Sequence, residues 1–272
     1  MTIRRSNLFW GIVLLSVGSL LLLDNLGVFA FLNVSVWQLI WPSALIALGI
    51  WIVWASSHAQ AVFETEELDI PLDGAEQARI VVEFGAGELS IRGNVEPGTL
   101  LAGTFDGVKH SLSREGGRAQ IRLNSPSIIQ SPAFIGLPYG PNFRRKWDFN
   151  LSDSLPINLT VKTGASDNKL DLSNLRVTKL RLESGASSTH VTLPARAGYT
   201  EMRGSSGAAS VELRVPQGVA ACIRTTGALS SVSVDKNRFP YTEGAYQSAD
   251  YALAENKVDI KIDIGVGSLN VS

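Results

Sequence analysis

The sequence predicts a membrane protein, with an N-terminal two-helix transmembrane hairpin followed by an all-β C-terminal solenoid with repeats of about 21 residues. Three observations predict this architecture. Apolar residues recur at a fixed spacing through the C-terminal half, a Gly-Ala pair recurs with them, and long uncharged segments lie near the N-terminus. A fixed period of this length is typical of solenoids, because one repeat cannot bury its apolar face until neighbours stack on it.

Two uncharged segments predict the membrane hairpin, which we place at residues 1–57. They are residues 8–23 and 34–55, and we expect spans at about 7–25 and 35–55. A membrane helix needs about 20 apolar residues, and tryptophans near both ends of the second segment match an aromatic belt. A signal peptide is the alternative for the first segment, but no small-residue cleavage site follows it.

The charge pattern around these segments predicts the orientation of the chain. Arg4 and Arg5 form the basic cluster nearest to either helix, and the connecting turn has no Lys or Arg. The positive-inside rule therefore places the N-terminus in the cytoplasm. Two spans return the chain to that side, so we expect a cytoplasmic solenoid.

The segment between the hairpin and the repeats predicts a linker, several strands and one irregular loop. Residues 58–78 are acidic and predict a solvated linker, and residues 79–147 predict N-terminal strands interrupted by a Pro-, Gly- and Ser-rich loop at 125–146. Apolar anchors beside basic charge make this loop the candidate interaction element, touching protein or lipid, although a loop packed on the solenoid is the alternative. The candidate residues are Phe134, Ile135, Arg144, Arg145, Lys146 and Trp147.

Residues 148–272 contain the repeats themselves. The last core-type residues before each Gly-Ala turn are Val161, Leu182, Met202 and Ile223, and the first ones after it are Leu170, Val191, Val211 and Val232. Side chains on a strand alternate faces, so the odd gap across the turn requires the inward parity to switch there. We expect glycine to allow that switch by adopting positive φ. The turn glycines are Gly164, Gly185, Gly207 and Gly227.

Two outer segments show a shorter version of the repeat. Residues 80–91 and 258–271 have apolar alternation on both sides of a Gly-X-Gly turn. Terminal repeats are usually atypical, so we expect these two segments to cap the ends of the stack. Their turn glycines are Gly85, Gly87, Gly265 and Gly267.

Nothing in the sequence predicts catalysis, a cofactor or a metal site. The three histidines lack metal-ligand spacing, and the outward positions beside the second apolar row do not collect acids at glycosidase spacing. The single Cys222 lies in an apolar strand and is expected to be a core residue. A net charge of −1 gives no reason to expect a nucleic-acid partner.

Two regions of the chain resemble known bacterial families. The segment from Arg5 to Gly27, with Trp41-Pro42 and Leu48-Gly49-Ile50-Trp51, resembles the LiaI/LiaF-like transmembrane region. The remainder is similar to toast-rack (LiaF-like) β-solenoid domains. Five segments carry that similarity, namely residues 82–89, 155–157, 170–175, 215–219 and 265–271.

The resemblance implies a non-catalytic protein of the bacterial inner membrane that regulates cell-envelope stress signalling through its cytoplasmic solenoid. The implied partner is a membrane sensor kinase or another envelope protein, in addition to membrane lipids. LiaF-type regulators carry more spans than the two predicted here. Self-association through exposed strands at the solenoid ends is a further expectation. A surface-exposed adhesin or envelope scaffold is the alternative function if the orientation is reversed.

Overall fold

The computed structural model describes residues 64–126 and 145–272, together with Leu45, Ile46 and Gly49. The chain divides into two compact units, and the second, Ala61–Ser131 with Asn142–Ser272, contains all the strands given below. In the first unit Leu45, Ile46 and Gly49 are helical. Among the described residues, no helix has the length and apolar character needed to cross a membrane. The spans predicted at 7–25 and 35–55 lie outside the described residues.

The described part of the second unit is one 13-stranded sheet that is bent around its core. Its strands are β1 Thr65–Pro71, β2 Gln77–Gly93, β3 Thr99–Asp106, β4 Lys109–Glu115, β5 Arg118–Asn124, β6 Arg145–Leu151, β7 Ile157–Asp171, β8 Val177–Thr192, β9 Tyr199–Arg214, β10 Ala220–Val234, β11 Tyr241–Thr242, β12 Ala245–Gln247 and β13 Lys257–Val271. The long strands β2, β7, β8, β9, β13 and β10 lie side by side and parallel in that order. This stack confirms the predicted solenoid.

Each long strand bends at its glycine, and we call the part before the bend the first arm and the part after it the second arm. In β7, Leu159 and Val161 of the first arm are buried, and so are Asn168 and Leu170 of the second arm. The inward positions therefore change from odd to even residue numbers across Gly164. The predicted switch of parity is confirmed. Each bent strand forms one coil of the solenoid, and the two arms of every coil contribute to one apolar core.

The register of β9 differs from the predicted apolar rows by two residues. Met202 pairs with Leu180, and Gly204 pairs with Leu182, the position that the sequence pattern gave to Met202. A shift of two residues keeps every side chain on its original face, so hydrophobic alternation cannot detect it. Gly204 offers no side chain to mark the true position, and the space there is filled by Ile262 of β13.

The position of β13 contradicts the predicted C-terminal cap. β13 lies between β9 and β10, where Ile260 pairs with Met202 on one side and with Ile223 on the other. The chain leaves β10, forms the short strands β11 and β12 against it, and returns to fill the gap. The apolar alternation of β13 is the same for an inner coil as for a cap, so the sequence does not distinguish the two positions.

The N-terminal end of the stack is covered by additional strands. β5 pairs with the first arm of β2 and β6 with its second arm, while β3, β1 and β4 extend this cover. β1 corrects the predicted linker, because residues Thr65–Pro71 of that segment form an edge strand whose acidic side chains remain exposed. Charged side chains are well suited to an edge strand, since they oppose pairing with other chains.

Candidate interaction surfaces

The bend of each coil is built by glycines that stack on one another. A Cβ atom on Gly164 would lie 2.3 Å from the carbonyl oxygen of Gly85, and one on Gly185 would lie 2.9 Å from that of Gly164. Gly207 and Gly265 continue this column, with corresponding distances of 3.0 Å and 2.7 Å to the carbonyl oxygens of Gly185 and Gly207. Glycine is needed at these positions because the backbones of neighbouring coils approach closely, and not because the torsion angles are unusual.

The expected positive φ occurs at two of the eight predicted turn glycines. Gly87 has φ of 129° and Gly267 has φ of 144°. Five others have no positive φ, namely Gly85, Gly164, Gly185, Gly207 and Gly265. Gly227 also departs from the column, because it pairs with Ile264 instead of Gly265. The prediction that positive φ at glycine switches the inward parity was therefore wrong for most coils. In those coils a bend of the backbone, repeated from one strand to the next, switches the parity instead.

The candidate interaction loop is corrected at its C-terminal end. Arg145, Lys146 and Trp147 belong to β6, while Phe134, Ile135 and Arg144 lie outside the described residues. Trp147 is fully buried, with its ring centroid 5.0 Å from that of Phe84 and 5.4 Å from that of Phe105. Trp147 is therefore a core residue at the covered end of the stack and offers no surface to a partner.

The two basic residues beside Trp147 have different environments. Arg145 is 3% exposed, its Nη1 donates to the carbonyl oxygen of Pro126 at 3.1 Å, and burial lowers the pKa of its guanidinium. Lys146 points outward, and its backbone N–H donates to Asp106 Oδ2 at 2.8 Å. Alternation along β6 explains the difference, since Arg145 and Trp147 share the inward face.

The described residues show no arrangement that suggests catalysis. His190 Nε2 lies 3.2 Å from Glu212 Oε2 in adjacent coils, because the true register of β9 brings Glu212 beside His190. This pair is half-exposed on an open sheet face. Cys222 is buried, and that burial raises the pKa of its thiol, which disfavours a reactive thiolate. No metal-binding group of three or more His, Cys, Asp or Glu is present in the described ranges.

A small cavity lies inside the bend and is lined by residues of β7, β8, β9 and β13. Asn168 is 3% exposed and its Nδ2 donates to Thr189 Oγ1 at 3.0 Å, while its Oδ1 has no hydrogen-bond partner in the described part of the chain. The cavity has a volume of about 20 Å³, enough for about one water molecule. It is too small to receive an organic substrate.

The outer face of the first arms carries a basic groove of 480 Å³. Its floor is formed by the short side chains of Asn158 and Thr160 on β7. Five cationic residues and one carboxylate line it, namely Arg79, Arg118, Lys179, Arg181, Arg203 and Glu201. Hydrophobic alternation along the sequence places all of these cations at outward positions, but it does not show that they lie together in one groove.

The C-terminal end of the stack leaves a strand edge open. β13 pairs with β10 along its length, whereas on the opposite side β10 pairs with β12 through Cys222 and Ile223 alone among the described strands. Val232 is 39% exposed there, although Leu269, which pairs with it on β13, is 1% exposed. The second arm of β10 therefore presents both unpaired backbone and an incompletely covered core position.

Sequence comparison places this architecture in a family. The model described as the N-terminal domain of toast_rack, DUF2154, matches residues 59–214, which is more than half of the 272-residue chain. The chain belongs to the toast-rack family. A second model, the LiaI-LiaF-like transmembrane region, matches residues 8–53, so the toast-rack domain follows a membrane anchor. No curated protein matches the sequence.

Comparison of the toast-rack protein with solved structures gave two matches of unequal quality. A candidate cell adhesion protein from Clostridium sporogenes superposes with a TM-score of 0.69 at 20% identity, covering 76% of this chain and 98% of its own. This likeness shows a shared fold. A candidate adhesin from Bacteroides fragilis covers 77% of this chain and 97% of its own at 10% identity, with a TM-score of 0.29, a superposition too poor to define a shared fold.

Proposed function

We propose that this protein is a membrane-anchored, non-catalytic regulator of bacterial cell-envelope stress signalling, with its toast-rack domain in the cytoplasm. The observation that carries the proposal is the order of its parts, a LiaI-LiaF-like transmembrane region followed directly by a toast-rack domain. Such an arrangement holds a binding domain at the bilayer, where membrane sensor proteins reside. The partner class is a membrane sensor kinase or another envelope protein.

The open edge of β10 is the surface we assign to protein binding. An exposed edge strand binds another strand through its free backbone N–H and C=O groups, and neighbouring side chains add selectivity. The N-terminal end of the stack lacks such an edge on β2, because β5 and β6 cover both of its arms. The outer strands of the N-terminal cover, β1 and β4, carry exposed charged side chains that oppose pairing. This difference favours one docking end on each domain, which serves either the partner or a second copy of this chain.

The alternative function is a surface-exposed adhesin or envelope scaffold, which requires the reverse orientation. Its support is the name given to the Clostridium sporogenes protein of the same fold, a candidate cell adhesion protein. The two functions therefore differ first in the side of the membrane on which the toast-rack domain lies.

Topology is the measurement that separates them. A reporter active only in the cytoplasm and one active only outside are each fused after Ser272 of the full chain. Activity of the cytoplasmic fusion is the expected result. Activity of the external fusion alone would overturn the regulatory proposal in favour of the adhesin or scaffold.

Crosslinking then tests the docking edge. A photoreactive residue replaces Ser231 on β10 or, as the control, Ser210 on β9, in cells that co-express a candidate sensor kinase. Both serines are exposed and pair with Ser268 on β13 from opposite sides. A kinase crosslink from position 231 and none from position 210 is expected, and equal crosslinking from both positions would contradict docking at the edge.

A further inference from the structure

We propose that the basic groove on the first arms binds a phosphate-bearing anion. The groove lies on the outward sheet face, away from the open edge of β10 to which protein binding was assigned. Its residues come from β5, β2, β7, β8 and β9. Because none of these strands is β10, anion binding in the groove can be tested separately from protein binding at the β10 edge.

The register of the strands explains how the cations surround one place. Arg79 on β2, Asn158 on β7 and Lys179 on β8 pair in one row across the sheet. Strands lie about 4.8 Å apart, so Arg79 and Lys179 flank the short Asn158 side chain with about 10 Å between their backbones. An anion seated over β7 can therefore be contacted from both sides.

Three of the groove cations have no ion-pair partner among the described residues, although Glu201 lies beside Lys179 in the register of β8 and β9. Arg79, Arg118 and Lys179 form no ion pair with any described residue, whereas Arg203 Nη2 lies 2.6 Å from Glu201 Oε1 and Arg181 Nε lies 2.6 Å from Glu183 Oε1. Further along the same face, Arg224 is likewise paired with Asp259, at 3.2 Å. Ion pairs thus occur on this sheet face on both β8 and β9 and on β10, and three of the five groove cations lack one among the described residues.

Two other grooves formed by described residues lack this excess of positive charge. A groove on the second arms of β2 and β7 is lined by three cationic and three acidic side chains, and one near the ends of β9 and β10 by two of each. The whole chain has a net charge of −1, so the basic groove is a local concentration of positive charge. Uncompensated charge that gathers in a concave site attracts oppositely charged ligands.

Phosphate is the anion chemistry that suits these side chains. The planar arginine fork binds two phosphate oxygens at once, and lysine adds a compact charge with three donors. A phosphate group offers acceptor oxygens in several directions, so donors on both walls can be satisfied together, whereas a planar carboxylate faces one side. The source is a lipid headgroup or a soluble phosphate compound, which share this chemistry.

Titration calorimetry of the full chain in nanodiscs of neutral lipid tests the proposal with tripolyphosphate as the probe. We expect binding that weakens as salt rises from about 20 to about 150 mM, since screening acts on exposed charges. The double variant Arg79→Gln with Lys179→Gln should bind at least about tenfold more weakly. The control, Lys109→Gln with Lys236→Gln, removes two exposed cations elsewhere and should stay within about twofold.

Further titrations distinguish the source and the chemistry. Nanodiscs with phosphatidylglycerol should weaken tripolyphosphate binding by the wild type, and not by the groove variant, if the source is a lipid headgroup. Unchanged binding assigns a soluble phosphate compound instead. Equal loss in the groove and control variants would overturn the site, and a glutamate octapeptide that binds as tightly as tripolyphosphate would overturn the assignment to phosphate.

Discussion

At the scale of single residues, the bend of each coil depends on the absence of a side chain. Parallel coils lie about 4.8 Å apart, and at the corner the backbone of one coil turns its carbonyl oxygen toward the next. The Cβ position of Gly164 lies 2.3 Å from the Gly85 carbonyl oxygen, which is closer than two non-bonded atoms can approach. The recurring glycine was visible in the sequence, but its reason requires the neighbouring coil.

Gly164→Ala should therefore destabilise the domain. The backbone of β2 or β7 must shift to admit the methyl group, and overpacking of this kind costs about 1–3 kcal/mol. Chemical denaturation of the full chain in detergent, followed by circular dichroism, measures the change. Gly85→Ala is the matched control, because its Cβ would meet only Ser125 Oγ at 3.3 Å, so stability should change by less than about 1 kcal/mol. Equal effects of the two substitutions would refute the stacking explanation.

Trp147 allows a second test at this scale, because the sequence pattern and the structure assign it different roles. Its ring is enclosed by Phe84 and Phe105, and its Nε1 donates to the carbonyl oxygen of Asp106 at 3.4 Å. Trp147→Ala should lower the free energy of unfolding by about 3–5 kcal/mol, the usual cost of removing a buried aromatic side chain. Thermal unfolding of the full chain measures it.

Lys146→Ala is the control for Trp147, since Lys146 lies next to it on the exposed face. Its effect on stability should stay below about 0.5 kcal/mol. A Trp147→Ala variant as stable as the wild type, but impaired in crosslinking to its partner, would restore Trp147 to the interaction role that the sequence suggested.

At the scale of elements, the strands were predictable and their pairings were not. Apolar alternation identifies both arms of β7, because inward Leu159, Val161 and Leu170 follow the period of a strand. The same alternation does not reveal the two-residue shift of β9. In the shifted register Gly204 has no side chain, and the side chain of Ile262 occupies the space beside it. Strand period is a local property, whereas register depends on contacts between distant segments.

The inner position of β13 predicts how it responds to proline. Lys261 pairs with Arg203 on β9 and with Arg224 on β10, so the backbone around it bonds on both sides. Lys261→Pro removes a ladder hydrogen bond in a central strand and should destabilise the domain by more than about 2 kcal/mol. Denaturant unfolding of the full chain measures the loss.

Lys109→Pro provides the comparison on an edge strand. Lys109 is the first residue of β4, which pairs with β5 alone among the described strands, and proline is tolerated at such positions. Both substitutions remove one lysine charge, so the difference between them reports the position of the strand. Tolerance of proline at residue 261 would mean that β13 is a loosely held outer strand, as the sequence pattern had suggested.

At the scale of the whole molecule, function depends on what the stack leaves unpaired. Arg79 and Lys179 are distant in the sequence and become neighbours across Asn158 only because β2, β7 and β8 pair in register. The groove was therefore beyond sequence reasoning. The open second arm of β10 was partly foreseen, since solenoids have ends, but the sequence could not show which strand forms the end.

The open edge predicts that the protein self-associates when no partner strand is present. Two copies related by a twofold axis can pair their β10 edges antiparallel, which satisfies the backbone of both edges and covers Val232. Val232→Lys places a charge at this edge, a substitution that natural edge strands use to prevent pairing. We expect a concentration-dependent dimer for the wild-type chain and a monomer for the variant in sedimentation velocity.

Val266→Lys is the control for this experiment, because exposure alone should not drive dimer formation. Val266 is 54% exposed, more than Val232, but it lies on β13, which is paired on both sides. The dimer should therefore survive Val266→Lys. Loss of the dimer in both variants would indicate association through exposed apolar surface, and a wild-type chain that stays monomeric at about 100 μM, where contacts of ordinary strength form, would leave the edge to a different protein.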